Sequence, residues 1–287
     1  MHELERKVRA RFRSFAETRG DEDSALAEGA LHIAAEARDA TFDVADHLAR
    51  LDAITARVLP ALEGASTRRA KLVALVDELH GRLGFRGNAD DYYDPANSFL
   101  DEVLVRRTGL PITLSIVYLH VGRAAGLKLA GVAFPGHFLV RTTEDDGSQT
   151  LFIDPFHAGR IRTADELGPF LSSLTGGRIT LDHNHLAPVG TRAILVRMLH
   201  NLKALYSSRA EWLRAIDAVD RILLLAPHAH LERRDRGVLY TRLGAHVLAV
   251  SDFEAYLAAG APGDDKKEVR ALVAELRKKT AVAGAPS

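Results

Sequence analysis

Pro135-Gly136-His137-Phe138-Leu139-Val140 and Phe152-Ile153-Asp154-Pro155-Phe156 read as two arms of one hairpin. The stretch between them, Thr142-Thr143-Glu144-Asp145-Asp146-Gly147-Ser148-Gln149, is polar and carries an Asp-Gly turn signal between apolar runs. With the turn centred near Asp145 and Asp146, antiparallel pairing sets residue i against 291 − i and puts His137 directly opposite Asp154. An imidazole and a carboxylate paired in this way share one face of a sheet, with Cβ atoms about 5 Å apart. A carboxylate that orients an imidazole is two thirds of a Cys-His-Asp hydrolase or acyl-transfer triad. The chain contains no cysteine to complete it.

Working outward, Leu129 to Phe134, Gly136 to Thr142 and Thr150 to Ile153 read as consecutive strands of a small antiparallel sheet. Just upstream, Gly109-Leu110-Pro111 is a stop-and-start signal, because proline suits the first turn of a helix and disfavours helix before it. The helix that follows, Ile112 to Ala125, is apolar nearly all round and is expected to be buried against the sheet, with Gly126 ending it. The result is an α+β core. Asn97-Ser98 opens a short helical stretch through Val105, with Asn97 or Ser98 as its cap. Residues 1–84 carry three to four amphipathic helices, punctuated at Gly20-Asp21, Thr41-Phe42-Asp43, Pro60 to Ser66 and Gly84.

Beyond Val196 the chain is helical again and repeats itself. Tyr206 and Tyr240, Ala215 and Ala249, and Val219 and Phe253 are each 34 residues apart, the tetratricopeptide period. Two such units are too few to bury their faces alone and are expected to lean on the core. The expected organisation is a helical section at 1–84, the α+β core at 85–190, tetratricopeptide-like helices at 191–279 and a coil tail at 280–287. The segment from Gly176-Gly177 to Pro188-Val189-Gly190 is read as the connection.

Composition narrows the function. Thirty-eight basic residues balance thirty-eight acidic ones, so no general field favours nucleic acid or an anionic membrane. No run approaches the ~18–20 apolar residues that cross a bilayer, and the N-terminus lacks an apolar signal core; a cytoplasmic location is expected. Absence of cysteine excludes disulfides and thiolate metal sites. Asp182-His183-Asn184-His185 and His228-Ala229-His230 offer imidazoles but no third ligand, so neither a metal nor any other cofactor is expected.

The motifs resemble those of the SirB-type transglutaminase-like proteins of bacteria, which carry a tetratricopeptide-like C-terminus. The likeness lies in Asn88, Tyr92-Tyr93-Asp94-Pro95, Asn97-Ser98-Phe99-Leu100, Gly109 to Leu114, Phe134 to Val140, Asp154-Pro155-Phe156 and Arg234-Asp235-Arg236-Gly237, in that order. The resemblance implies a papain-like α+β core in which His137 and Asp154 match the histidine and aspartate of the wider group. It places the cysteine position near Pro111, about fifteen residues before Gly126, and proline has no nucleophile.

Two readings of function follow. In one, the core is a pseudoenzyme whose His137 and Asp154 line a cleft that recognises an acyl, amide or peptide group without turnover. Asn97, Tyr93, Pro111 and Phe138 are then candidate ligand contacts, the repeats supply a second surface, and the partner is a protein or peptide; oligomeric state stays open. In the other, a hydrolase or acyl transferase uses Ser115 or Thr113 as nucleophile, His137 as base and Asp154 to orient it. The bland alternatives are a structural His-Asp tie between strands, and helix-side hydroxyls that bond back to carbonyls. Tyr92-Tyr93 reads equally as a cleft lining or a loop anchor. Glu232 to Arg236 reads as a solvated, ion-paired helix face or a docking edge.

Overall fold

The computed structural model describes residues 2–38, 41–143, 149–260 and 265–283. The chain divides into two compact units within one helix, after Met198. In the first unit, α1 (His2–Thr18), α2 (Leu26–Ala35), α3 (Val44–Glu63) and α4 (Arg68–Val76) form the helical section. Asp43 and Thr67 cap α3 and α4 through their side chains, accepting from Ala45 N at 2.8 Å and Ala70 N at 3.1 Å. Pro60, read as punctuation, lies inside α3 near its end. The turn after α4 widens into a π-type stretch, Asp77–Arg82.

A short bridge pairs β1 (Arg86–Gly87) with β2 (Thr108–Gly109) in parallel. Between them runs α5 (Leu100–Arg106). The expected cap at Asn97 or Ser98 is not used: Asp94 Oδ1 accepts from Ala96 N at 3.0 Å and starts a 3₁₀ turn, and α5 has Phe99 at its N-cap position with no side-chain cap. Helix α6 (Pro111–Ala124) has proline in its first turn and is buried along almost its whole length.

The sheet has five strands rather than three. In chain order these are β3 (Ala130–Val132), β4 (Leu139–Thr143), β5 (Thr150–Asp154), β6 (Arg160–Thr163) and β7 (Pro188–Val189), laid out β6-β5-β4-β3-β7 and antiparallel throughout. Pro188-Val189, read as part of a connection, is an edge strand; proline is tolerated there because an edge has a free side. One face carries Val132, Leu139 and Phe152 under α7 (Leu167–Thr175) through Leu167 and Leu171. Alternate residues Val140, Leu151 and Ile153 are buried too, so both faces are covered. Helix α6 packs against β3 and β4.

The second unit takes its first helix from the end of α8 (Thr191–Ser208) and adds α9 (Trp212–Leu225), α10 (His230–Leu243), α11 (His246–Ala258) and α12 (Lys266–Ala283). These form two helical hairpins plus one more helix, with Tyr206 and Tyr240 both in the first helix of a hairpin, as the 34-residue period requires. Ala215, Val219, Ala249 and Phe253 are buried at the equivalent places in the second helices. Gly237 leaves room for a close approach: a Cβ there would lie 2.7 Å from the Phe253 ring. The coil expected from Thr280 is instead the last turn of α12 as far as Ala283; residues 284–287 lie outside the described residues.

Glu232 to Arg236 is no solvated face. Arg236 donates to both oxygens of Asp252 at 2.7 Å and to Asp220 at 2.6 Å, joining α10 to α11 and α9. Lys203 donates to Glu232 at 2.7 Å and to Asp235 at 2.9 Å, and Arg234 to Asp235 and Asp265, each at 2.7 Å. These charges hold the repeats to one another.

Candidate functional site

The site forms where β4 and β5 leave their pairing. His137 stands just before β4, in a turn where Gly136 has φ +71° and the His137 N–H donates to the Phe134 carbonyl at 2.9 Å. Asp154 is the last residue of β5. Val140 faces Ile153 and Thr143 faces Thr150, so residue i faces 293 − i, two residues from the expected register. The turn itself, 144–148, lies outside the described residues. A two-residue offset keeps every side chain on its face, because side chains alternate with period 2. His137 therefore meets Asp154 diagonally, and its ring spans the gap: Nε2 donates to Oδ1 at 2.8 Å. Both are buried, His137 6% exposed and Asp154 0%.

A residue that the sequence reading did not single out completes the constellation. His157 Nδ1 donates to Asp154 Oδ2 at 2.8 Å, and the His157 backbone N–H donates to Oδ1 at 3.2 Å. Arg162 Nη2 lies 3.8 Å from Oδ2, with its guanidinium 4.1 Å over the Phe170 ring. Burial works against the Asp154 charge, but the hydrogen bonds from His137 and His157 outweigh it and hold the carboxyl well below the usual carboxylate range. With each imidazole donating one N–H to the carboxylate, a neutral ring carries its lone pair on the other nitrogen, Nδ1 of His137 and Nε2 of His157.

Aromatic rings frame the pair. His137 meets Phe156 and Phe170 edge-on at 6.0 and 5.4 Å between centroids, and His157 meets the same two rings at 5.2 and 5.8 Å. Phe156 in turn packs on Gly87, where any Cβ would lie 2.5 Å from its ring, and on Tyr92. Near Asp154, the Tyr118 hydroxyl of α6 is buried with no hydrogen-bond partner among the described residues. Burial, and then the neighbouring Asp154 charge, push it above the ordinary tyrosine range.

The other residues expected at the site sit elsewhere. Thr113 Oγ1 donates to the Asn97 carbonyl at 2.7 Å and lies 3.1 Å from the Leu110 carbonyl. Ser115 Oγ donates to the Pro111 carbonyl at 2.7 Å. Both hydroxyls are fully buried and committed to backbone. Asn97, expected as a ligand contact, is buried at 0% and acts as a brace: its Nδ2 donates to the carbonyls of Asp91 and Tyr92, and its Oδ1 accepts from Asn88. Pro111 and Phe138 are buried as well, Phe138 against Gly131. Of the four expected contacts only Tyr93 is open, at 73% exposed, on the loop that Asn97 fastens. Among the described residues, the histidines first weighed for metal form no three-ligand group; His185 is spent in a capping box with Asp182. The three-ligand group that does form is His137, Asp154 and His157.

A family model described as transglutaminase-like superfamily matches residues 45–200, more than half of the chain. The chain belongs to the transglutaminase-like superfamily. A tetratricopeptide repeat model follows at residues 202–277. A UPF0162 protein of Xylella fastidiosa (strain Temecula1) is 43% identical over 190 residues, spanning 65% of this chain and 67% of that protein. A UPF0162 protein of Vibrio cholerae is 31% identical over 209 residues, spanning 73% and 76%. The human F-box only protein 21 is 29% identical over 228 residues, which cover 70% of this chain but 35% of that protein. No solved structure matches. These relatives agree with the SirB-type resemblance carried by the motifs. Within this transglutaminase-like family, the present chain carries no cysteine, and among its described residues no helix is long and apolar enough to cross a membrane.

Proposed function

We propose that the chain is a non-catalytic, cytoplasmic member of its family that binds a protein or peptide. The cleft framed by His137, Asp154, His157, Phe156 and Tyr93 receives an amide or peptide group, and the helical repeats offer a second surface. One observation carries this reading: the imidazole-carboxylate pair is kept in orienting geometry while neither Thr113 nor Ser115 presents its hydroxyl to it. Pro111 stands where the resemblance places the thiol, and the hydroxyls closest to it in sequence, Thr113 and Ser115, are buried and donate to carbonyls. An activated hydroxyl needs the general base as its acceptor, and these have other acceptors. The repeats support a protein partner, since stacked helical repeats form extended binding surfaces.

The test is selection of a random synthetic peptide library on the intact chain, together with turnover assays on peptide amides, glutamine side chains and thioesters. The expected result is a family of bound peptides whose affinity falls about tenfold or more in Tyr93→Ala, with no turnover above background. Turnover by the parent that is abolished in His137→Ala would replace this reading with a hydrolase or acyl transferase.

A further inference from the structure

Framing a cleft does not by itself call for the second imidazole's bond to Asp154. Orienting one histidine requires one carboxylate oxygen, yet here Oδ1 holds His137 and Oδ2 holds His157, both at 2.8 Å. We infer that His137, Asp154 and His157 together form a binding site for one divalent transition-metal ion of the zinc class. One nitrogen from each ring and one carboxylate oxygen already lie within 4.8 Å of one another. Zinc bonds of about 2.0–2.1 Å to nitrogen and oxygen put neighbouring ligand atoms roughly 3 Å apart, and each ring nitrogen already stands 2.8 Å from one of the two Asp154 oxygens, His137 Nε2 from Oδ1 and His157 Nδ1 from Oδ2. The ion takes the place of the two N–H protons that now face the carboxylate; each neutral ring changes tautomer, its proton passing to Nδ1 of His137 or Nε2 of His157, so that the nitrogen beside the carboxylate offers its lone pair. The two rings have to draw together.

The chain supplies the means for that approach. His137 is fixed by its turn and its burial, whereas the His157 side chain is 45% exposed and rides on a surface turn. That turn is held in an unusual shape: Ala158, next in sequence, has φ +59°, a left-handed conformation that non-glycine residues seldom adopt, and Gly159 follows at φ +67°. Gly159 cannot be larger, since a Cβ would lie 2.6 Å from Val76. The strained turn aims His157 back at the residue three positions before it. A carboxylate held as an anion and two imidazoles make a hard-and-borderline ligand set suited to zinc, cobalt or nickel. Three protein ligands leave a fourth position, which a carboxylate, amide or imidazole of a binding partner can occupy. The inference does not depend on the peptide reading, and its test uses the metal alone.

Titration of the full chain with Co²⁺, followed by visible absorption and by calorimetry with Zn²⁺, reads the site directly. The expected result is one saturable equivalent with d–d bands of low coordination number, weakened at least about tenfold in His157→Ala. That variant alters an exposed side chain, and circular dichroism checks its fold. Asp154→Asn should weaken binding similarly, while the double variant His183→Ala/His185→Ala should leave it unchanged. Absence of saturable binding in the parent, or undiminished binding in folded His157→Ala, overturns the inference.

Discussion

Each unit of the chain is organised around one charged side chain held by several partners: Asp154 in the first and Arg236 in the second. The Arg236 guanidinium is used up. It gives a bidentate pair to Asp252 and a further bond to Asp220, and every partner is itself a helix residue of the repeats. Asp154 is also saturated, but its partners are not: each imidazole keeps a ring nitrogen directed elsewhere, and His157 is open to solvent. A network whose members are all satisfied serves the fold. One whose outer members retain unused capacity is a place for a ligand.

Breaking the structural hub should have the larger effect. Arg236→Met leaves Asp252 buried and unpaired, and unfolding of the second unit in denaturant should shift by about 3 kcal/mol. Arg236→Lys should recover only part of this, because a point charge cannot reproduce the bidentate geometry. An unchanged unfolding curve would remove the distinction between the two networks.

Next in size is the acid limit set by Asp154. Its folded carboxyl is held below the ordinary range, so the stability it contributes is present above about pH 4, the unfolded value, and is lost as pH falls through the folded one. Asp154→Asn should cost roughly 1–3 kcal/mol at pH 7 and flatten the decline of stability below about pH 4. A decline just as steep in the variant would show that the carboxylate is not the group responsible.

Gly237→Ala sets two opposing terms against each other. Alanine gains about 1 kcal/mol of helix propensity over glycine, but its Cβ would lie 2.7 Å from the Phe253 ring, which is itself buried in the α11 core. Overpacking of about 1–3 kcal/mol should win narrowly, giving a small loss in thermal stability. A gain would mean that the repeat core yields more readily than its packing indicates.

The pattern of what could be read from the chain follows the same physics. The repeats were legible because Tyr206/Tyr240, Ala215/Ala249 and Val219/Phe253 preserve the period, and the α+β core because α6 is apolar all round. The His137–Asp154 pairing was legible even with the register two residues off, since an even offset preserves the face. His157 stood in plain view, one residue beyond Asp154-Pro155-Phe156, and a histidine three residues after the aspartate was the available signal. Strand β6 was not legible: Arg160-Ile161-Arg162-Thr163 reads as an exposed alternation, yet Arg162 is nearly buried, stacked on Phe170 near Asp154. Glu232 to Arg236 misled for the same reason. Glu232, Asp235 and Arg236 are tied to partners sixteen residues or more away, which local pattern cannot reveal.

The smallest expected effect is at the hydroxyls: Ser115→Ala and Thr113→Val should each change stability by about 1 kcal/mol and no function, because each gives up a hydrogen bond to a backbone carbonyl, that of Pro111 or of Asn97. The most direct test of the central claim uses these positions. The intact chain is incubated with an activated acyl or fluorophosphonate probe and its mass is measured. The expected result is an unmodified chain in the parent and in Ser115→Ala alike. An adduct on Ser115 or Thr113 that disappears in folded His137→Ala would contradict it.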